Sequence, residues 1–316
     1  MQMFGGKFCS SKIWYNSMAK SYLDGSKQMI LATKPVFRAP GWERAELVTQ
    51  NSCAHPDSSQ NMASAELAAG KIIEAVEMSV WELEREEERQ ADNLARTLRR
   101  ARVKVRDYAL STPMTWFVTL TLDKTKVDRY DVDAMTLRLK VWLDNLVRRN
   151  GLAYVMVPEL HGDGAIHYHA LMTDSLEYVD SGTIIPRGED RPRRPRSDQQ
   201  RSAWLRHGGR IVYNLPEWPY GYTTALRIEG YYERAVTYVS KYISKGHDLE
   251  RAPRKVGGRW YYHGGNLGLP EVTYCDADYE AICALAGSAA HRVDVSARLP
   301  GVEMVVIWQR PDGVLK

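Results

Sequence analysis

The chain has 316 residues, 44% hydrophobic and 26% charged, which is enough for one large or two ordinary domains with a real core. Its net charge of +4 is a mild basic excess that is compatible with a polyanionic partner. The sequence contains no run of about 18 apolar residues and no apolar signal-peptide core, so we expect a cytoplasmic protein with no membrane span. Its four scattered cysteines form no C-x-x-C pair, and we expect them to be reduced.

The first part of the chain predicts two different kinds of structure. Residues 1–60 mix turn formers with little periodicity, and we expect a loosely ordered accessory segment there. Residues 61–110 predict a long charged helix, because apolar residues recur in them at spacings of three and four. These apolar residues are Leu94, Leu98, Ala101, Val105 and Tyr108. We therefore expect a mainly helical N-terminal region.

Residues 111–250 alternate between strand and helix patterns. The predicted strands are 116–123, 152–160, 165–172 and 222–229, and the predicted helices are 133–151, with Gly151 as its stop, and 231–246. Hairpin-linked strands between irregularly spaced helices favour an antiparallel α+β fold. Residues 180–210 predict an exposed basic loop, and residues 251–316 predict a C-terminal extension with short strands.

The segment HGDGAIHYHAL, residues 161–171, contains two histidines that are separated by one residue. On a strand, His167 and His169 project from the same face. A tight hairpin centred near Asp163 would place Glu159 opposite His167, with their Cβ atoms about 5 Å apart. Two imidazoles and one carboxylate with open positions suit Mg²⁺ or Mn²⁺. The alternative is that both histidines are ordinary core or surface residues.

The segment YVSKYISK, residues 238–245, contains two overlapping Y-x-x-K units on a predicted helix. Tyr238 and Tyr242 are four residues apart and therefore share one helix face. A tyrosine hydroxyl can act as a nucleophile on phosphorus, and Lys241 or Lys245 would favour the phenolate and neutralise phosphate charge. The alternative is an amphipathic helix with packed tyrosines and solvated lysines.

A basic segment, residues 187–210, contains eight arginines and three acidic residues. Arginine side chains suit phosphate contacts, so this segment predicts a DNA-binding surface, although a merely solvated loop is an open alternative. The arginines that we expect to contact DNA are Arg191, Arg193, Arg194 and Arg196. Three aromatic residues, Trp204, Trp218 and Tyr220, either stack on unpaired bases or belong to the core.

Three blocks in this order, FVTLTLD, HYH and YVSKYISK, resemble motifs 1, 2 and 3 of the HUH endonucleases. More narrowly, they resemble the rolling-circle replication initiators of phages, plasmids and small single-stranded DNA viruses. The resemblance covers roughly residues 110–250. It implies an RRM-like or ferredoxin-like central antiparallel sheet with flanking helices.

The resemblance also implies an activity, which is metal-dependent nicking and rejoining of single-stranded DNA at a replication origin. The reaction would pass through a 5′-phosphotyrosine and leave a free 3′-hydroxyl as a primer. Glu159, His167 and His169 would hold the metal. Tyr238, and after it Tyr242, would be the nucleophiles.

Further residues take roles from the same resemblance. Lys241 would be the motif 3 lysine that steadies phosphate or metal, and Lys245 would contact DNA. Thr119 and Thr121 match motif 1, which we interpret as sheet structure near the DNA and not as catalytic residues.

The implied partners are origin DNA, a separate helicase and the host DNA polymerase, in the cytoplasm of a bacterial host. A separate helicase is expected because the chain contains no G-x-x-x-x-G-K-[ST] motif. Two alternatives stay open, a non-catalytic single-stranded nucleic-acid binder and an HUH transposase or mobilisation nuclease. Neighbouring genes would separate the replication initiator from the transposase or mobilisation nuclease.

Overall fold

A computed structural model describes residues 14–39, 68–160, 163–229, 232–243, 255–296 and 298–311, with the side chains of the long first helix described from residue 85. The helices within these ranges are α1 (Ala68–Leu110), α2 (Val132–Asn150), α3 (Asp198–Arg206), α4 (Tyr232–Tyr242) and α5 (Tyr279–Ala286). The strands are β1 (Trp14–Tyr15), β2 (Ser17–Ser21), β3 (Lys27–Ala32), β4 (Phe37–Arg38), β5 (Trp116–Leu122), β6 (Tyr154–Leu160), β7 (Ile166–Met172), β8 (Val179–Ile185), β9 (Arg210–Asn214), β10 (Gly221–Arg227), β11 (Tyr262–Gly264), β12 (Glu271–Cys275), β13 (His291–Asp294) and β14 (Glu303–Gln309).

A seven-stranded sheet forms the centre of the molecule, with the strand order β11-β6-β7-β5-β10-β9-β8. Every neighbouring pair in it is antiparallel. The prediction of an antiparallel α+β fold is confirmed. The predicted strands at 116–123, 152–160, 165–172 and 222–229 are also confirmed, with ends that differ by at most two residues.

Helix α2 covers one face of this sheet. Its N-cap Asp131 accepts a hydrogen bond from the backbone N–H of Ala134, and Gly151 ends it in the left-handed conformation with φ 68°. Leu139 and Leu143 of α2 pack against buried side chains of the sheet such as Tyr168. Full burial of each such leucine contributes about 1.5–3 kcal/mol. The predicted helix at 133–151 and its glycine stop are confirmed.

Helices α1 and α4 cover part of the opposite face. Val105 of α1 and Val239 of α4 are fully buried in one cluster with Val155, Val157 and Leu171 of the sheet. The apolar stripe predicted for α1 is confirmed, because its residues are either buried in this cluster or packed against it. The tyrosine segment thus begins its helix on the same side of the sheet as α1.

A second sheet of five strands, in the order β12-β2-β3-β14-β13, joins the two ends of the chain. The expected loosely ordered segment and mainly helical N-terminal region are therefore wrong for residues 14–38, which form strands. The reason is that β2 and β3 are short and pair with β12 and β14, more than 240 residues away, so local periodicity does not reveal them. Four strands of the predicted C-terminal extension, β11–β14, are present.

The second sheet contacts α1 through a buried polar network. Lys20 donates a 2.7 Å hydrogen bond to Asp107 of α1, and the Tyr22 hydroxyl donates to the other carboxylate oxygen at 3.0 Å. The Tyr22 ring stacks on Trp308 of β14. Every member of this network is paired, as a buried charge requires.

The predicted exposed loop 180–210 is a correction, since it contains part of β8, all of α3 and the start of β9. The register of β8 against β9 shifts between Asp180 and Thr183, around Gly182, and this bulge breaks the alternation that marks a strand. Helix α3 begins at its cap Ser197 but buries no side chain, so it has no apolar stripe to detect. Residues 186–197 remain an exposed connection.

Helix length and hydropathy were also compared with the requirements of a membrane span. Among the residues that the structure describes, no helix is long and apolar enough to cross a bilayer.

Candidate catalytic site

The hairpin of β6 and β7 places Glu159 directly opposite His167. This is the register that the turn length predicts, and the prediction is confirmed. Alternation along β7 turns His167 and His169 to the face that carries α1 and α4, while Tyr168 is fully buried on the face of α2. The hairpin therefore presents one carboxylate and two imidazoles on the same face.

A direct contact joins Glu159 to the second histidine. The Nε2 atom of His169 lies 2.7 Å from Oε2 of Glu159, and both side chains are buried. Val157, not Glu159, lies opposite His169 in the backbone register, so the Glu159 side chain reaches diagonally along the strand. The side-chain pairing thus differs from the backbone pairing on which the prediction was based.

Two threonines of β5 contact the remaining nitrogens of the histidines. Thr119 Oγ1 lies 3.2 Å from Nδ1 of His169, and Thr121 Oγ1 lies 3.5 Å from Nδ1 of His167. A partner on Nδ1 fixes the ring orientation and directs Nε2 toward a ligand, as outer partners do at metal-binding histidines. The interpretation of Thr119 and Thr121 as plain sheet structure was therefore too weak. The signal was available, since the alternation in FVTLTLD puts both threonines on one face.

The donor chemistry of this group fits a divalent metal, because it combines a carboxylate with two imidazoles whose Nδ1 atoms have partners of their own. The three side chains are not gathered as a finished metal site, however. In the described parts of the chain, no group of three or more His, Cys, Asp or Glu side chains is arranged to hold a metal ion. The metal site stays a prediction.

Helix α4 brings both tyrosines of the Y-x-x-K segment to this face. The Tyr242 ring stacks on the His169 ring, with centroids 3.8 Å apart and an angle of 12° between the planes. The Tyr242 hydroxyl donates a 2.5 Å hydrogen bond to the Tyr238 hydroxyl. The ring of Tyr238 packs edge-on against Phe117 of β5. The two tyrosines and the histidine strand are thus in direct contact.

The two tyrosines differ in exposure and in their protonation chemistry. Tyr238 is 48% exposed and Tyr242 only 9%. Burial raises the pKa of Tyr242 well above its ordinary value, and the Tyr238 hydroxyl and the negative charge of Glu159 raise it further. Tyr242 is therefore a protonated donor, and Tyr238 is the hydroxyl that a ligand from solution can reach.

The lysines of the segment have different positions. Lys241 is exposed in the last turn of α4, three residues after Tyr238. Lys245 and Gly246, the predicted end of this helix, lie outside the described residues. The helix itself is described as Tyr232–Tyr242, inside the predicted range 231–246.

The predicted DNA-binding arginines lie away from the histidines. Arg191, Arg193, Arg194 and Arg196 are all exposed in the connection between β8 and α3. Strand β8 is the edge strand of the central sheet, and β5, β10 and β9 lie between it and the histidine strand. Arg193 also forms an ion pair with Glu189. The structure does not bring these arginines together with the tyrosines.

Two of the three aromatic residues considered for base stacking belong to the core. Trp218 is buried in the cluster beneath α2, on the face opposite the histidines, and Tyr220 packs against the same cluster. Trp204 is partly buried on α3. For Trp218 and Tyr220 the core interpretation is correct.

A comparison with protein families gives one match. Residues 115–247 match the family model of the replication-associated protein ORF2. The matched range runs from β5 through α4 and includes both histidines, Glu159 and both tyrosines. No curated protein and no solved structure matches the chain significantly. The match supports a role in replication initiation, with DNA at an origin as the partner.

Proposed function

We propose that this chain nicks and rejoins one strand of DNA at a replication origin, as an HUH tyrosine endonuclease. The observation that carries the proposal is the stacking of Tyr242 on His169, which puts a tyrosine pair directly against the histidine–carboxylate pair. Neither an ordinary core nor a simple binding surface needs a buried carboxylate, two imidazoles and two tyrosine hydroxyls at one place. The family match independently favours replication as the setting.

Tyr238 is the nucleophile in this proposal because its hydroxyl is exposed and Tyr242 donates a hydrogen bond to it. A donated hydrogen bond stabilises the phenolate of Tyr238 as its proton leaves to solvent. The phenolate oxygen bonds to phosphorus, and the bond between phosphorus and the 3′ oxygen of the preceding nucleotide breaks. That 3′ oxygen takes up a proton and becomes the primer hydroxyl.

Rejoining reverses these bonds. A 3′-hydroxyl attacks the phosphotyrosine, a phosphodiester re-forms, and Tyr238 leaves and is protonated again. One phosphoester bond is exchanged for another in each direction, so ATP is not required. Tyr242 lies next to Tyr238 and is the second candidate nucleophile for a further round.

Glu159, His167 and His169 would hold a Mg²⁺ or Mn²⁺ ion, which would polarise the scissile phosphate. Thr119 and Thr121 orient the two imidazoles through their Nδ1 atoms. Lys241 is a point charge on the same helical segment as the nucleophile and is suited to steady the phosphate. Because Lys241 is exposed, it can move toward a bound strand.

The alternatives have specific weaknesses. A non-catalytic binder explains exposed arginines but not the contact of Tyr242 with His169. A transposase or mobilisation nuclease would use the same chemistry, and the replication-associated family match is the observation that favours replication over it.

The test is a cleavage assay on the full chain. Labelled single-stranded oligonucleotides, tiled across the replicon that encodes the protein, are incubated with Mn²⁺ and run on a denaturing gel. We expect a covalent protein–DNA band that EDTA abolishes and that Tyr238→Phe removes. The matched control is Tyr279→Phe, which alters a tyrosine of α5 in the second sheet's cluster and should leave the band unchanged. Binding without a covalent band on every oligonucleotide would leave the non-catalytic binder.

A further inference from the structure

Strand β10 presents an exposed tyrosine on the face that carries the histidines. Tyr222 lies opposite Thr121 of β5, and Thr121 lies opposite His167 of β7, so the three residues form one row across the sheet. Residues opposite one another on neighbouring antiparallel strands point to the same face. Tyr222 is 65% exposed, unlike Trp218 and Tyr220.

Tyr222 is held in place although it is exposed. Its hydroxyl donates a hydrogen bond to the carboxylate of Asp123, at the end of β5. Asp123 is fixed in turn, because Oδ1 accepts 2.9 Å and 2.8 Å hydrogen bonds from the backbone N–H and the hydroxyl of Thr125. A ring that is already ordered loses less conformational entropy when a ligand stacks on it.

The charge around Tyr222 suits a nucleic acid strand. The bond to Asp123 raises the pKa of Tyr222, so the ring is a neutral phenol at ordinary pH. Lys124 and Lys126 flank it in the turn after β5, and both are exposed. A neutral aromatic ring beside exposed cations is the combination that binds unpaired bases and their phosphates.

The position of Tyr222 leaves room for a strand. Helix α4 packs over β6 and β7, whereas β10 lies on the far side of β5. Two strand spacings separate Tyr222 from His167, which is about 10 Å between Cβ atoms. At a rise of about 3.4 Å per nucleotide, that distance corresponds to about three nucleotides.

We propose that Tyr222 is the stacking platform for an unpaired base of the DNA strand that reaches Tyr238, with Lys124 and Lys126 contacting the adjacent phosphates. This subsite rests on the proposed function for its substrate, single-stranded DNA. It positions the strand and does not take part in bond making, since the Tyr222 hydroxyl is engaged by Asp123.

Photocrosslinking locates the stacked base. An oligothymidylate that carries 5-iododeoxyuridine is irradiated with the full chain in EDTA, and the cross-linked peptide is identified by mass spectrometry. EDTA prevents cleavage, so the result reports binding alone. We expect a cross-link at Tyr222.

Affinity measurements test the same subsite. Fluorescence anisotropy with the same oligonucleotide should give a Kd about 5- to 150-fold higher for Tyr222→Ala, because base–aromatic stacking is lost. Tyr222→Phe retains the ring and should stay within about twofold of the unmodified chain. Trp14→Ala removes an aromatic side chain of similar exposure outside the central sheet and should leave the Kd unchanged.

The outcomes separate this inference from the proposed function. A cross-link elsewhere, together with an unchanged Kd for Tyr222→Ala, overturns the subsite even if the covalent adduct at Tyr238 forms. A cross-link at Tyr222 and the expected loss of affinity support the subsite even if no adduct forms, and the chain would then be a binder and not a nickase.

Discussion

Two buried acid–base pairs in this molecule have the same 2.7 Å separation but different surroundings. Lys20 and Asp107 join the second sheet to α1, and Tyr22 completes the hydrogen bonds of the carboxylate. Glu159 and His169 lie under the ring of Tyr242, one hydrogen bond from the exposed hydroxyl of Tyr238. The first pair connects packed elements, whereas the second lies next to a hydroxyl that solvent reaches.

The difference teaches that burial and distance do not identify a reactive group. What distinguishes the two pairs is the next layer of contacts. Tyr22 next to the first pair is closed off by its stacking on Trp308. The layer around the second pair includes a threonine on Nδ1 and two tyrosine hydroxyls. We therefore expect stability to depend mainly on the first pair and DNA cleavage on the second.

The largest effect is expected from breaking the first pair. Lys20→Met leaves the Asp107 carboxylate buried with one partner fewer, which should lower the free energy of unfolding by about 3–5 kcal/mol. Chemical denaturation with urea measures this loss. The double variant Lys20→Met/Asp107→Leu should recover most of it, because no buried charge remains. An unchanged unfolding free energy for Lys20→Met would show that the pair is not structural.

The next effect concerns the second pair. Glu159→Gln keeps the size of the side chain but removes its charge, and the rate of adduct formation should fall at least about 100-fold. The urea midpoint should change little, since the amide can still bond to His169. A variant that unfolds easily but retains its cleavage rate per folded molecule would reverse the roles of the two pairs.

A smaller effect is expected one contact further out. Thr119→Val removes the hydroxyl on Nδ1 of His169 without changing the shape of the side chain, and activity or metal affinity should fall about 10- to 100-fold. Thr224→Val is a matched control, because Thr224 lies opposite Thr119 on β10 and makes no histidine contact in the described residues. Equal effects of the two variants would argue against a role in orienting the imidazole.

The smallest effect is expected from the tyrosine that supports the nucleophile. Tyr242→Phe retains the stack on His169 and removes one hydrogen bond to Tyr238, which is about 1 kcal/mol or about a fivefold slower first cleavage. Single-turnover kinetics measure that step. Complete loss of cleavage in Tyr242→Phe, with activity retained in Tyr238→Phe, would exchange the roles assigned to the two tyrosines.

Local patterns were sufficient to predict most of the central sheet and the arrangement of the histidine hairpin. The turn before His167 fixed the partner of Glu159, and alternation fixed the face of both histidines. These features depend on neighbours within about ten residues. The contact of Tyr242 with His169 depends on the docking of α4, which no local pattern specifies.

The features that the sequence did not predict are long-range or irregular. Strands β2 and β3 find their partners at the other end of the chain, so residues 14–38 gave no recognisable signal. The bulge at Gly182 concealed β8, and the position of Tyr222 becomes meaningful only when β10 is paired with β5. A period-two pattern marks the faces of a strand but not which strand lies beside it.

The central claim is that Tyr238 bonds covalently to DNA, and peptide mapping tests it most directly. The adduct formed with Mn²⁺ is digested with protease and nuclease, and the modified peptide is sequenced by mass spectrometry. We predict a nucleotide remnant on the phenolic oxygen of Tyr238. A remnant on any other residue would contradict the assignment, and cleaved DNA without a modified peptide would show that water, and not tyrosine, is the nucleophile.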